Sequence, residues 1–230
     1  MDASSLSRML AALAAAGDDT LERRLCSTCV ELLGVDGASI VVSAGAAGWG
    51  ALCSSDVLAA TLLDLQHTLG EGPTLEAYHA TRPVGEVALG DPDDPRWLAF
   101  SGQAHAAGAA AVFAYPLRAG AARVGVLTLH QRRTGPLRRA QHADALLWAD
   151  ALTDFVLAIQ AQAPPRVLAA PLEAVAAYHA EVHQAAGILA ARLEIGIGEA
   201  LVRLRAHAYA KGRLLADVAR EVITGTLRIE

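Results

Sequence analysis

Up to Pro136 the chain alternates helix-spaced runs with short β-branched runs; beyond it only helical spacing remains. That switch divides the sequence into an α+β part and an all-α part. In the first part, Leu6, Met9, Leu10 and Leu13 mark an amphipathic helix over Leu6–Ala16. Asp18-Asp19-Thr20 supplies caps for a helix over Leu21–Leu33, which Gly34 ends. Ala38–Ser43 reads as a strand, Gly45–Gly50 as a turn and Ala51–Ser54 as the returning strand. Asp56 is placed to cap a helix over Val57–Leu69, and Gly70-Glu71-Gly72-Pro73 makes a turn. Leu75–Ala80 then reads as helix, Pro83–Val87 as strand, Asp91–Pro95 as a loop and Gln103–Ala107 as helix. Ala111–Leu117 and Arg123–His130 read as strands turning at Ala119-Gly120, which gives an antiparallel sheet.

In the second part, Leu137, Ala140, Ala143, Leu147, Ala151 and Phe155 recur in steps of three and four. That stripe suits covering the sheet or pairing with its copy in a dimer. Ala163-Pro164-Pro165 ends the helix, so the expected division is a domain over 1–163, a linker over 164–171 and a domain over 172–230. The last domain holds three helical patterns. They are Val175, Val182, Ala185, Leu189 and Leu193; Ile197, Leu201, Leu204 and Ala208; and Leu215, Val218, Ala219 and Val222.

Composition narrows the function classes. Hydrophobic residues at 53% and charged residues at 19% exclude a disordered chain. Ala supplies 51 of 230 residues, and no long run is apolar and free of Gly, Pro and charge, so no membrane span is expected. A net charge of -5 excludes coating nucleic acid by bulk charge. Three cysteines, Cys26, Cys29 and Cys53, argue for a reducing compartment and against a disulfide framework, hence a cytoplasmic protein. Cys26 and Cys29 at i, i+3 read as small buried hydrophobes rather than a redox pair or half of a metal site, with no second Cys/His pair at zinc spacing. No P-loop, nucleophile elbow or H-E-x-x-H is present, and Pro92 and Pro95 interrupt the acidic run Asp91, Asp93, Asp94; no enzyme and no metal site is expected.

Charge clusters locally near the C-terminus. Arg203, Arg205, His207, Lys211 and Arg213 fall within eleven residues, with Tyr209 among them. Cations beside an aromatic ring suit phosphate contact and base stacking in an RNA loop. Three blocks surround them: His183-Gln184-Ala185-Ala186-Gly187-Ile188-Leu189, Glu199–Ala208 and Leu215–Ile223. Together they resemble the ANTAR domain, a three-helix RNA-binding module of bacterial transcription antiterminators. The resemblance implies binding of RNA stem-loops in nascent transcripts by a homodimer, with RNA polymerase involved only indirectly. Residues expected at the RNA are Gln184, Gly187, Arg203, Arg205, His207, Tyr209, Lys211 and Arg213. The chain departs from the family in two places. Ala186 stands where a basic residue is frequent, and Glu194-Ile195-Gly196 replaces a Gly-Val-Ser-type corner, placing Glu194 at a left-handed position and Gly196 as N-cap.

The α+β part resembles a GAF domain, the sensory fold related to PAS, through Leu69-Gly70-Glu71-Gly72-Pro73, Ala77-Tyr78, Pro83-Val84 and the run from Val112 to Leu127. The pair resembles GAF-ANTAR regulators. The cyclic-nucleotide motif needs Asn and Lys; the chain has no Asn, and its one Lys is Lys211. The Cys-His pair of bilin-binding GAF domains is absent too. No cofactor is therefore expected, though an unidentified small-molecule ligand suits the fold, and Trp49, Cys53, His67, Tyr78, Phe113 and Tyr115 are candidates to line its pocket. Two other readings compete: a helix-turn-helix DNA-binding regulator, and a dimerising scaffold without nucleic acid. A GAF-fold methionine sulfoxide reductase would need paired reactive cysteines, which the helical Cys26 and Cys29 do not offer.

Overall fold

The computed structural model describes residues 21–43, 49–91, 96–162 and 169–229. The helix expected over Leu6–Ala16, most of the turn at Gly45–Gly50, the Pro92–Pro95 loop and the Pro164-Pro165 stop lie outside these residues. The elements run α1 (Leu21–Leu33), β1 (Gly37–Ser43), β2 (Trp49–Ser54), α2 (Val57–Leu69), α3 (Pro73–Ala80), β3 (Val84–Glu86) and α4 (Leu98–Ala106). They continue with β4 (Ala111–Ala119), β5 (Ala122–Gln131), α5 (Arg139–Gln162), α6 (Ala169–Leu193), α7 (Ile197–Ala210) and α8 (Leu215–Thr224).

The strands form one antiparallel sheet in the order β2-β1-β5-β4-β3. Alternation along β4 decides what each face meets. Ala111, Phe113, Tyr115 and Leu117 join the core beneath α1 and α5, whereas Val112 and Ala114 point to the layer of α2, α3 and α4. With both faces covered, the central strands are mostly apolar, and the buried polar exceptions are Ser39, Thr128 and His130. Burying a side chain such as Ile40, Leu127 or Phe100 fully contributes about 1.5–3 kcal/mol. A bulge between Ile40 and Val41 alters the alternation in β2, so Leu52 and Cys53 both join the α1/α5 core.

Polar ties fix the layers. Gln141 of α5 donates from Nε2 to the carbonyls of Leu33 and Gly34 at 2.8 and 2.9 Å, capping the end of α1. Gln66, fully buried, donates to the Leu62 carbonyl at 3.1 Å and accepts from the Thr74 amide at 2.7 Å. The Thr74 hydroxyl meets that of Thr128 at 2.8 Å, joining α3 to β5. Asp56 caps α2 as the sequence suggests, accepting from the Ala59 amide at 2.6 Å.

Two helices differ from expectation. The buried line of α5 is Gln141, Ala145, Trp148, Ala149, Leu152 and Val156; of the expected stripe, Ala140 and Ala143 are exposed and Leu147, Ala151 and Phe155 half-buried. An Ala-rich helix offers apolar letters on every face, and the bulky Trp148 together with the capping Gln141 sets which one turns inward. α4 begins at Leu98, five residues before the expected helix.

The C-terminal helices enclose a separate core in which Val182, Ala185, Leu204, Ala208, Leu215, Val218, Ala219 and Val222 meet. All four residues of the third expected stripe are buried. Ile197, expected inside, is 57% exposed, because it occupies the first position of α7, where the helix has yet to reach its neighbours. Val175 lies among side chains outside the described set. No helix among the described residues is long and apolar enough to cross a membrane.

Candidate RNA interface

The corner between α6 and α7 follows from single residues. Glu194 adopts φ 56, the left-handed position expected of it, and Gly196 is the N-cap, with no side-chain bond to the first amides. Glu199 instead holds Arg203 at 3.0 Å across one helical turn. Leu204 and Ala208 point into the bundle. Arg203 and His207 therefore fall to one side of that line, Arg205 and Tyr209 to the other. Lys211 is the exposed C-cap of α7, and Gly212 turns the chain at φ 59.

The expected cluster is thus divided. On the Arg205 flank, α7 lies against the C-terminal turn of α2. The guanidinium covers Gly70 so closely that a β-carbon there would stand 3.4 Å from its Nη1. Arg205 Nε is buried with no hydrogen-bond partner among the described residues. Two clefts of about 270 and 290 Å³ flank this junction and share Thr68, Leu69 and Tyr209 as walls. Tyr209 remains 52% exposed. Arg213 is engaged elsewhere, donating to both carboxylate oxygens of Glu221 at 2.7 and 2.8 Å. That fork holds the Arg213 pKa above its ordinary value and the Glu221 carboxyl below its own. Arg220 is tied to Asp217 at 2.8 Å and Glu181 at 3.1 Å, leaving the outer face of α8 balanced in charge.

On α6, Gln184 is exposed, and a β-carbon at Gly187 would meet nothing within 4 Å. No helix among the described residues crosses there, so close helix packing does not explain this glycine. Ala186 is fully buried beside Leu189 and Ala200; a long cation at that position would displace core atoms. The apolar letter where a basic one is frequent follows from that packing.

The six sensor candidates do not converge. Phe113, Tyr115 and Cys53 belong to the core beneath α1 and α5, while Tyr78 packs on the opposite face, with its hydroxyl 3.0 Å from that of Ser43. His67 sits on α2, across the sheet from Tyr115, and the Trp49 side chain lies outside the described set. Tyr115 hydrogen-bonds His142 Nδ1 at 2.8 Å, and burial pushes its pKa up. Strand alternation separates these residues: β4 sends Phe113 and Tyr115 to one face and the candidates on α2 and α3 pack on the other.

The cysteines also depart from expectation. Cys26 and Cys53 form a disulfide; Cys29 alone is a buried thiol, its pKa pushed up by desolvation. Sequence reading missed the pair because the β2 bulge, not simple alternation, turns Cys53 toward α1. It also missed Glu71, whose Oε1 accepts from the Ala99 and Phe100 amides at 2.7 and 2.9 Å and caps α4 from the Gly70–Pro73 turn. An acidic residue set between Gly70 and Gly72 in a turn was a signal that could have found it.

Residues 170–223 match the ANTAR domain family. No curated protein matches the chain. Among solved structures, the GAF domain from an Acinetobacter phosphoenolpyruvate-protein phosphotransferase is similar with a TM-score of 0.53 at 12% identity, covering 69% of this chain and 94% of that one. The GAF domain of a Coxiella burnetii phosphoenolpyruvate-protein phosphotransferase gives 0.53 at 13% identity, with the same 69% and 94% coverage. At such identity the likeness speaks for the fold alone. The chain therefore has a GAF-ANTAR architecture, a GAF-fold domain built on the five-stranded sheet followed by an ANTAR domain at residues 170–223.

Proposed function

We propose that this protein is a signal-responsive regulator that binds RNA stem-loops through α6–α8 and promotes transcription antitermination. The observation that carries the reading is the ANTAR match over residues 170–223, whose second helix and following turn bear Arg203, Arg205, His207, Tyr209 and Lys211 at or near the surface. Arg203, Arg205 and Lys211 contact phosphate, Tyr209 stacks on a base, and Gln184 reads a base edge. A homodimer brings two modules to paired hairpins, raising the effective concentration of the second contact. The working division is a sensor over 1–163 and an RNA module over 172–230, acting in the cytoplasm with RNA polymerase reached only through the transcript. The Arg205 flank faces α2, so a change in the GAF-fold domain alters what that flank can reach.

A titration against paired RNA hairpins, with scrambled loops and duplex DNA as controls, tests this at two salt concentrations. Loop-dependent binding should weaken with salt, and an Arg203→Ala/Arg205→Ala variant should lower the log–log salt slope by about 1.4–1.8, two phosphate contacts at about 0.7–0.9 each. Equal binding to duplex DNA, or an unchanged slope in the variant, would overturn the reading.

A further inference from the structure

Cys26 on α1 and Cys53 on β2 are bonded across 27 residues of sequence. Their neighbours give the bond a consequence. α1 rests on the sheet and touches α5, while β2 is an edge strand that, among the described residues, pairs with β1 alone. α6, the first helix of the ANTAR domain, is in contact with that strand. The disulfide thus clips the strand that α6 lies against to the helix layer of the GAF-fold domain. Packing alone would hold α1 in place: Leu25, Cys29 and Leu33 are buried on the same stripe. In a reducing compartment such a bond is transient and serves sensing more often than stapling.

We propose that Cys26 and Cys53 are the redox site of the sensor, a dithiol–disulfide pair exchanging with a cellular thiol/disulfide couple. The proposal names the signal in the regulator reading above and rests on that reading for its consequence at RNA. Cys53 is the sulfur to be attacked, since it is 8% exposed on an edge strand whereas Cys26 is fully buried. A thiolate of a dithiol reductant bonds to Cys53 Sγ, and the Cys26–Cys53 bond breaks. Cys26 leaves as a thiolate and takes a proton. The reductant's second thiol then attacks its own sulfur in the mixed disulfide, loses its proton and closes the oxidised reductant, and Cys53 leaves as a thiol. Two electrons enter the protein and the reductant ends as a disulfide; oxidation is the reverse. Cys29, a buried thiol with a raised pKa, takes no part.

The test uses the full chain equilibrated in reduced and oxidised dithiothreitol at graded ratios. Acid quenching and alkylation after unfolding, read by mass spectrometry, should count one free thiol in the oxidised form and three in the reduced. The transition should be a single two-electron step that Cys29→Ser leaves in place and Cys53→Ser abolishes. Opening a crosslink over 27 residues relaxes the chain entropy, so amide exchange in β2 and α6 should accelerate by about 10-fold or more on reduction. Three free thiols at every ratio would overturn the proposal, as would a bond that resists reductant until the protein unfolds, or exchange in β2 and α6 unchanged by reduction. The hairpin titration in both redox states separates the two readings. Redox-dependent exchange without RNA binding in either state refutes the RNA reading and upholds the redox site. RNA binding with identical exchange in both states refutes the redox site and upholds the RNA reading.

Discussion

Glu71→Ala should uncap α4 from a distance. That helix begins badly on its own: Trp97, its N-cap, is left-handed at φ 50 and offers no side-chain bond. The second and third helical amides, Ala99 and Phe100, are the donors a capping side chain ordinarily satisfies. Here Glu71 takes both, at 2.7 and 2.9 Å. The two losses are unequal. Ala99 is half-buried, so its amide regains water at a cost of about 1 kcal/mol. Phe100 is fully buried, and an amide stripped of its acceptor there costs about 2 kcal/mol. The sum, about 3 kcal/mol, should lower Tm by about 6–12 °C in a chain of this size. Glu71→Gln keeps an oxygen acceptor and loses only charge at a helix N-terminus, about 1 kcal/mol or less. Urea titration of both variants, followed by tryptophan fluorescence, measures the difference. Equal midpoints for the two, or a Glu71→Ala loss under about 0.5 kcal/mol, would refute the long-range cap. The effect should reach the ANTAR domain, because Glu71 adjoins Gly70, the residue that Arg205 covers.

Gly125→Ala places a β-carbon into the Val41 carbonyl across the β1–β5 pair and should cost about 1–3 kcal/mol in a urea titration, the strands being unable to part without breaking the ladder. Gly187→Ala meets open space on a regular helix and should gain about 0.5–1 kcal/mol in thermal unfolding; the same variant should bind hairpin RNA more weakly if the RNA backbone approaches there. His130 is buried, with Asp56 3.6 Å away and too far to bond its Nε2, and desolvation lowers its pKa despite the opposing pull of Asp56. The unfolded state therefore binds the proton first: its stabilisation is complete above pH 6.5 and falls away as pH drops below that value toward the folded pKa. His130→Gln should flatten the wild-type loss of Tm between about pH 7 and pH 5, and a parallel fall in both proteins would contradict the assignment.

Local chemistry was readable in the sequence wherever one residue decides one conformation. Asp56 announces α2, Gly34 ends α1, and Glu194 marks the left-handed corner before α7. β4 and β5 were legible as strands because two short runs rich in apolar and β-branched residues flank the Ala119-Gly120 turn. What escaped depends on partners far along the chain. The start of α4 is set by Glu71, the inward face of α5 by Gln141 reaching the end of α1, and the Cys26–Cys53 bond by a bulge in β2. In the candidate interface, the charges were legible and their division was not. Helical spacing separates Arg203 from Arg205, and the Arg213–Glu221 fork joins a turn to a helix eight residues on.

That fork bears on what the RNA module can hold. Arg213 turns the two-pronged edge of its guanidinium, one N–H from each terminal nitrogen, onto the Glu221 carboxylate. A phosphate arriving at the turn must displace Glu221 or leave Arg213 where it is. If Arg213 serves phosphate, Glu221→Gln weakens the competitor and frees the fork, so hairpin affinity should rise and the salt slope should steepen by about 0.7–0.9, one added contact. Arg213→Ala alone should change that slope little, because in the wild type the contact is largely spent on Glu221. If the fork is structural, both variants destabilise the turn between α7 and α8 and neither steepens the slope. The double variant decides between them. With the phosphate role, Arg213→Ala in the Glu221→Gln background removes the gained affinity; with the structural role, it leaves affinity where Glu221→Gln had put it. The half-exposed position of both side chains favours exchange over a fixed strut, since solvent already competes for each partner.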